Sequence, residues 1–367
     1  MNQKMKDIRT TIKSSPKPFL IAGPCSAETE EQVHQTVSEL ANNELVQLIR
    51  AGIWKPRTRP DSFEGVGEVG LQWLVDAGKE ANLPVTTEVA NAKHVDLALK
   101  AGIDVLWIGA RTSVNPFAVQ EIADALRGTG KSVMVKNPIN PDLQLWIGAI
   151  ERLYNADLTD IVAIHRGFSV YKHPKYRNIP NWEIPIALKE HLADIPIICD
   201  PSHITGDRNQ IFSVSQKALD LNFDGLMIET HPNPDKAWSD VQQQVTPEQL
   251  KQITANFTLR SPLIPQEKLG MMEVMRDKIA DVDDKIFSLL SQRMKIVNAI
   301  AEHKKEHNIT ILQHEHWKRI ILHRLGQASE LDLTPTFIRS LMDAIHQESI
   351  RHQTVVMNSE NVKKVER

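Results

Sequence analysis

The chain has 367 residues, of which 41% are hydrophobic and 24% are charged. A single core seldom organises a chain of this length, so we expect one large and one small domain. The formal net charge of -3 provides no overall field for nucleic acid or an anionic membrane, and we expect neither as a partner. Because the sequence has neither a membrane-length apolar run nor a signal-peptide core, we expect a cytoplasmic protein. Cys25 and Cys199 are its two cysteines, and we expect no structural disulfide.

Short apolar runs bounded by turn residues recur through the first two thirds of the chain. Helix-length amphipathic segments separate them. Strands that are apolar on both faces and alternate with helices indicate a parallel sheet buried on both sides. Such units, repeated eight times over about 240 residues, predict a closed (β/α)₈ TIM barrel. The runs begin at Phe19, Leu48, Leu83, Val105, Ser132, Ile161, Ile195 and Asp224.

The pattern changes after residue 256. Residues 257–268 form a predicted linker, which contains most of the proline-punctuated run PLIPQEKLG. An apolar stripe over residues 268–306 then predicts one helix of roughly 55 to 60 Å, and shorter helices are predicted at 314–325 and 334–357. We therefore expect a barrel domain over 1–256 and an all-α domain over 269–367. Because so long a helix exceeds what a small domain buries, we expect at least a homodimer through this domain.

Polar residues gather at the carboxyl ends of the predicted strands, where barrels of this kind build their active sites. Several of them are cations, although the chain as a whole is slightly negative. Arginine forks match the oxygens of phosphate and carboxylate, so this rim can hold two phosphorylated substrates. The alternative is that each cation pairs with a carboxylate on the rim. The cations are Arg50, Lys55, Arg57, Arg111, Lys136 and Arg166.

Four further residues at or after strand ends are potential metal ligands. They are Cys25, His203, Glu229 and Asp240. One soft, one borderline and two hard ligands can converge on a single divalent ion. Taken alone, a cysteine in a strand is more often a small buried hydrophobe, and we place Cys199 in the core for that reason.

Eight motifs in order resemble 3-deoxy-D-arabino-heptulosonate 7-phosphate (DAHP) synthase of the type I beta branch, over about residues 18–258. They are AGPCSAE, KPRTRP, IGAR, VKN, HRG, YRN, DPSHITG and GLMIETHPNPDKAWSD. The resemblance implies condensation of phosphoenolpyruvate with erythrose 4-phosphate. It also implies a divalent metal such as Mn²⁺ on the four ligands.

The resemblance also implies roles for single residues. Arg57 and Thr58 would bind erythrose 4-phosphate, and Cys25, His203 and Lys55 would be catalytic. Lys55 would deliver a proton to the developing alkoxide or act electrostatically. Phosphoenolpyruvate would be bound by Arg50, Lys55, Arg111, Lys136 and Arg166.

The related octulosonate phosphate synthases are an alternative, since they share the barrel and phosphoenolpyruvate but use a five-carbon aldose phosphate. The run KPRT resembles the four-carbon enzymes, whereas the sibling family shows an Asn-Arg-Ser type of run there. Arg59, followed by Pro60 and Asp61, is a departure, because the family usually shows serine, proline and an aromatic residue there. This departure concerns the aldose phosphate site.

Helical periodicity places polar residues of the C-terminal domain on shared faces. Arg293 and Lys304 fall about 20° apart around the helix, whereas Arg276 and Arg293 differ by about 100°. In an intertwined dimer, Arg276 would therefore reach the other site. Ser349 and Gln353 are four residues apart and share a face. The alternative is an ordinary solvated face.

The run MRDKIADVDDKIFSLLSQRMKIVNAIAEHKK resembles the first helix of all-helical chorismate mutases. The resemblance covers about residues 268–360 and implies rearrangement of chorismate to prephenate without nucleophile or cofactor. It assigns substrate binding to Arg276, Arg293, Lys304, Ser349 and Gln353.

The second predicted helix departs from the mutase pattern. His316 and Trp317 stand where that family places Arg-Glu, which is expected to weaken contacts to the substrate hydroxyl. One hypothesis is that chorismate or prephenate, bound to the helical domain, inhibits the barrel. The alternatives are a catalytically dead dimerisation or ligand-sensing module, and a binding protein without catalysis.

Overall fold

A computed structural model describes residues 7–55, 62–171 and 175–359, apart from the side chain at position 267. The chain divides into two compact units, Met1–Pro262 and Leu263–Arg367. The division falls within the residues predicted as a linker. Each unit is described by itself.

Within the described residues of the first unit, eight parallel strands close into a barrel in chain order. The predicted (β/α)₈ barrel is therefore confirmed. Alternate side chains of one strand enter different cores: Phe19 and Ile21 fill the barrel interior, whereas Leu20 and Ala22 pack against the helices. The strands are β1 Phe19–Gly23, β2 Val46–Arg50, β3 Val85–Val89, β4 Val105–Ile108, β5 Ser132–Lys136, β6 Ile161–His165, β7 Ile197–Cys199 and β8 Gly225–Glu229.

Helices surround the barrel, and many begin at polar side chains that cap the first turn. Asn91 and Asp142 accept hydrogen bonds from backbone N–H groups three residues on, which satisfies donors that lack helical partners. The helices of this unit are α1 Ile8–Ser14, α2 Glu30–Leu40, α3 Val69–Ala81, α4 Ala92–Ala101, α5 Pro116–Leu126, α6 Leu143–Tyr154, α7 Glu183–His191, α8 Pro201–Thr205, α9 Ile211–Asp220 and α10 Pro247–Ala255.

A tight turn after β1 brings Cys25 against β2. Gly23 has φ 142°, and a Cβ atom at this position would lie 2.0 Å from the carbonyl oxygen of Arg50. No side chain fits at that distance, so glycine is required where the two strands approach. The turn therefore sets Cys25 beside Arg50.

The second unit consists, in its described part, of three helices: α11 Gln266–Glu306, α12 His314–Gly326 and α13 Pro335–Asn358. The three predicted helices are confirmed, and α11 begins two residues earlier than predicted. At about 1.5 Å per residue it is about 60 Å long. Much of its apolar stripe is exposed, including Ile279 (61%), Ile286 (48%) and Ile296 (62%).

None of the helices in the described ranges is long and apolar enough to cross a membrane.

Candidate functional site

Three of the four predicted metal ligands come together at the carboxyl end of the barrel. Cys25 follows β1, Glu229 ends β8, and Asp240 lies in the loop beyond. One ligand atom of each lies within 4.8 Å of the others, and Cys25 Sγ is 3.1 Å from Asp240 Oδ2. Asp240 has φ 48°, a left-handed conformation that is uncommon outside glycine. Such outliers often occur at functional sites, where surrounding contacts impose them.

His203, the fourth predicted ligand, lies in the short helix α8 next to this cluster. Its Nε2 is 3.8 Å from Glu229 Oε1, and its Nδ1 is 2.8 Å from Asp200 Oδ2. Burial lowers the pKa of His203, which favours the neutral imidazole that metals bind. A carboxylate at the second ring nitrogen is the usual support of a metal-binding histidine.

Asp200 links this histidine to the cationic part of the rim. It precedes α8 and lies 2.8 Å from Lys136 Nζ at the end of β5. Burial alone would raise the pKa of Asp200, but His203 and Lys136 hold it well below its usual value. The carboxylate is therefore ionised and fixed between the two groups.

The surroundings of Cys25 show how a bound cation would change its protonation. Burial, reinforced by the charge of Glu229, raises the pKa of the Cys25 thiol to about 12. A divalent cation among these ligands would reverse that effect, because coordinated thiols lose their proton. Thiolate, imidazole and carboxylate together suit a first-row divalent ion, so the residues present fit such a group.

A cationic pocket adjoins the cluster. Arg50 and Lys136 are 1% and 3% exposed and lie over the ring of Trp107, with Arg50 Cζ 5.0 Å and Lys136 Nζ 5.7 Å from its centre. Arg50 Nη2 is 3.0 Å from Glu229 Oε1. Its Nε and Nη1 have no hydrogen-bond partner among the described residues. Because unsatisfied buried donors are costly, this guanidinium is suited to an anionic ligand.

Arg166 extends the pocket beyond β6. Its backbone N–H donates to Asn137 Oδ1 at 2.7 Å, and the following Gly167 has φ 77°, which favours glycine. Burial lowers the pKa of Arg166 to about 10, and the charges of Arg177 and Arg111 act in the same direction. Arg111 itself is exposed. The pocket thus holds more positive charge than its neighbours neutralise.

Lys55 contacts Cys25, one of the predicted metal ligands. Its Nζ donates to Cys25 O at 3.0 Å and contacts Cys25 Sγ at 2.9 Å. Burial alone would lower the pKa of Lys55, but Cys25 and Glu229 raise it above its usual value. The side chain is therefore an ammonium with protons to donate. Arg57 and Thr58, predicted to bind the second substrate, lie outside the described residues.

A cavity of about 680 Å³ opens beside Asp240. Arg177 lines it and lies 3.0 Å from Asp240 Oδ1, and its Nη1 donates to Gln243 Oε1 at 2.6 Å. Gln243 in turn donates to Glu229 Oε2 at 2.6 Å. These residues therefore orient two of the carboxylates in the cluster.

Sequence reasoning missed four members of this site: Asp200, Arg177, Trp107 and Gln243. Asp200 stands three residues before His203 in DPSHITG, and a capping carboxylate that close was a usable signal. Arg177 lies in YRN without following a strand, and Trp107 belongs to an apolar run typical of core. Gln243 carried no signal that we identify.

The helical unit brings together four of its five predicted residues. Arg293 Nη1 donates to Ser349 Oγ at 2.6 Å, and Lys304 Nζ donates to Gln353 Oε1 at 3.1 Å. Burial lowers the pKa of both Arg293 and Lys304. Arg276 is exposed and lies about 25 Å from Arg293 along α11, so one chain does not bring it to the others.

Comparison with known proteins matches residues 5–259 to the DAHP synthetase I family and residues 275–354 to chorismate mutase type II. A phospho-2-dehydro-3-deoxyheptonate aldolase from Thermotoga maritima is 32% identical over 237 residues, which cover 64% of this chain and 67% of that protein. A 2-dehydro-3-deoxyphosphooctonate aldolase from Nitratidesulfovibrio vulgaris is 27% identical over 245 residues, covering 60% and 84%.

The barrel is also similar to solved structures of DAHP synthases. The crystal structure of the DAHP synthase from Thermotoga maritima superimposes with a TM-score of 0.58 at 28% identity, covering 64% of this chain and 66% of that one. A truncated form of 3-deoxy-D-arabino-heptulosonate 7-phosphate synthase from the same organism gives a TM-score of 0.55 at 26% identity, covering 64% and 83%.

Proposed function

The chain belongs to the DAHP synthetase I family and carries a chorismate mutase type II domain, and we propose that it is a metal-dependent DAHP synthase with an active, regulatory mutase. The two matches support two enzymatic activities, the condensation that yields DAHP and the rearrangement of chorismate. The observation that carries the first is the buried, partly unpaired guanidinium of Arg50 beside the cluster of Cys25, Glu229 and Asp240. The proposed domain limits are 1–256 and 269–367.

In the proposed condensation, the barrel's cations hold phosphoenolpyruvate. Arg50, Lys136 and Arg166 match its phosphate and carboxylate, and Arg111 closes the pocket from the rim. Enol C3 attacks C1 of erythrose 4-phosphate, water adds to C2, and phosphate leaves by C–O cleavage. Lys55, held as an ammonium, donates a proton to the aldehyde oxygen as negative charge develops there.

The proposed metal site consists of Cys25, His203, Glu229 and Asp240, with Mn²⁺ as the proposed ion. When bound, the ion supplies Lewis-acid polarisation of the aldehyde. Asp200 orients His203, and Arg177 with Gln243 orients the carboxylates. Metal-stripped protein should regain phosphoenolpyruvate consumption on addition of Mn²⁺. Full turnover without any divalent ion would contradict the assignment.

An octulosonate phosphate synthase is the second candidate, because several relatives carry that name. The higher identity to the heptonate enzyme, 32% against 27%, and the run KPRT favour the four-carbon substrate. Rates of phosphoenolpyruvate consumption with erythrose 4-phosphate and with arabinose 5-phosphate distinguish the two. We expect turnover with the first, and a preference for the second would reverse the assignment.

In the proposed rearrangement, Arg293 holds a carboxylate of chorismate, and Lys304 with Gln353 contacts its ether oxygen. Lys304 and Gln353 are hydrogen-bonded to each other, so their N–H groups are positioned to stabilise the negative charge that develops on that oxygen as its bond breaks. The reaction then needs no nucleophile. Prephenate formation by the full chain tests this proposal, and its absence would favour the dimerisation or ligand-sensing alternative.

We also propose that the mutase unit forms a homodimer. The exposed stripe of α11 offers a continuous apolar surface, and Arg276, far from Arg293 in its own chain, would complete the partner's site. Prephenate or chorismate bound there would inhibit the barrel, if the ligand has different affinity for two states of the protein. The free cysteines Cys25 and Cys199 fit a reducing compartment, and we propose the cytoplasm.

A further inference from the structure

Trp317, which departs from the mutase pattern, stacks on a histidine of another helix. The rings of Trp317 in α12 and His346 in α13 lie with centroids 3.8 Å apart and planes 10° apart. Both side chains are half-buried. His316, the other departing residue, is exposed and lies 3.4 Å from Arg319 of its own helix. Of the two replacements, Trp317 therefore makes the contact between helices.

His346 shares a helix face with the polar residues of the proposed mutase site. It precedes Ser349 by three residues and Gln353 by seven, spacings that place side chains on one face of a helix. Ser349 receives the hydrogen bond from Arg293. Burial, and then the charge of Arg293, lower the pKa of His346, which favours the neutral imidazole near pH 7.

The chemistry of the pair differs from that of an arginine and a carboxylate. The indole of Trp317 donates a hydrogen bond and accepts none, so it does not replace the accepting carboxylate. A neutral imidazole accepts at one nitrogen and donates at the other. Flat stacking fixes the plane of the His346 ring through its face and does not use the nitrogen-bearing edge.

We propose that His346, positioned by its stack on Trp317, binds the ring hydroxyl of chorismate in place of the missing carboxylate. The inference rests on the proposed mutase function and adds a substrate contact that the sequence departure had left vacant. Trp317 is a positioning residue in this arrangement. His346 is the residue that touches substrate.

The test compares chorismate with an analogue that lacks the ring hydroxyl, using the full-length chain. His346→Ala should lower kcat/KM for chorismate by about tenfold, the effect of one lost hydrogen bond, and should leave the value for the analogue nearly unchanged. His346→Gln, which keeps an acceptor and a donor, should recover most of the loss. Trp317→Phe should retain the stack, whereas Trp317→Ala should resemble His346→Ala without adding to it.

His352→Ala is the matched control. This half-buried histidine of α13 contacts Asn298 and Glu348 and is expected to leave mutase kinetics unchanged. Circular dichroism of every variant separates lost folding from lost contacts. Equal losses of His346→Ala on both substrates, or no loss on either while the wild type turns over, would overturn the inference. Absence of turnover by the wild type would overturn the mutase proposal and this inference together.

Discussion

The barrel and the helical unit differ in how deeply they bury their functional residues. In the barrel, Arg50 and Glu229 are 1% and 0% exposed, and strands that close on themselves surround them. In the helical unit, Arg293 is half-buried and apolar residues of the same helix, such as Ile286, lie in solvent. A closed barrel completes its core within one chain, whereas three helices of this length do not. The described residues of the first site therefore lie in one chain, whereas the proposed second site would depend on a partner.

The largest effect we predict separates the two units by their need for a metal. Cys25→Ala should lower the condensation rate by about a thousandfold, since Lewis-acid stabilisation contributes several kcal/mol. The mutase rate should not change. Cys199→Ala is the control, because this cysteine is equally buried but packs in the apolar layer between the strands and the helices. Steady-state rates of both reactions check the prediction, and similar losses in the two cysteine variants would contradict it.

A charge placed in the exposed apolar stripe of α11 should impair dimerisation and mutase activity, and should leave the barrel's reaction unchanged. Ile286→Asp should dissociate the proposed dimer and lower mutase activity by about a hundredfold, because each site would lose the arginine contact proposed from the partner. Ser288→Asp adds the same charge about 160° away around the helix and should leave both properties intact. Light scattering and mutase kinetics measure the outcome. A dimer that persists with Asp at position 286 would place the interface elsewhere.

A milder change in the barrel tests the residues that support the proposed metal ligands. Asp200→Asn should weaken Mn²⁺ binding and condensation by about 10- to 100-fold, because it loosens the support of His203 and Lys136. Asp224→Asn is the control. It makes the same change at the opposite end of the barrel, where Asp224 accepts hydrogen bonds from Lys189 and from the backbone N–H of Ile197. Calorimetric titration with Mn²⁺ should detect a change for the first variant only.

The smallest effect concerns stability of the helical unit. Thr334 caps α13 by accepting a hydrogen bond from the backbone N–H of Phe337. Thr334→Ala should lower the free energy of unfolding by about 1 kcal/mol, with the functional residues left in place. Thr334→Ser, which keeps the hydroxyl, should retain the wild-type value in denaturant titrations. Equal losses in both variants would show that the hydroxyl contributes nothing.

The strands were predictable because each run is apolar on both faces, and only closed or doubly covered parallel sheets require that pattern. The boundaries of the strands were less predictable. The seventh run starts at Ile195, but β7 starts at Ile197, since Pro196 has no N–H for the sheet. The second strand starts at Val46, two residues before the predicted run.

The site was predictable where its residues end a strand, as Lys136 does, or follow one, as Cys25 and Arg166 do. It was not predictable where a residue acts through another, as Asp200 does, or where an aromatic residue supports cations from the core, as Trp107 does. Such roles depend on contacts between distant segments, which periodicity does not record. The stack of Trp317 on His346 is of the same kind, since it joins two helices.

The most direct test that one reaction needs a metal and the other does not is a pair of assays on one metal-stripped sample. Condensation of phosphoenolpyruvate with erythrose 4-phosphate should be absent without ions and restored by Mn²⁺. Conversion of chorismate to prephenate should proceed at the same rate in both conditions. Condensation without added metal, or a mutase rate that follows Mn²⁺, would contradict the account.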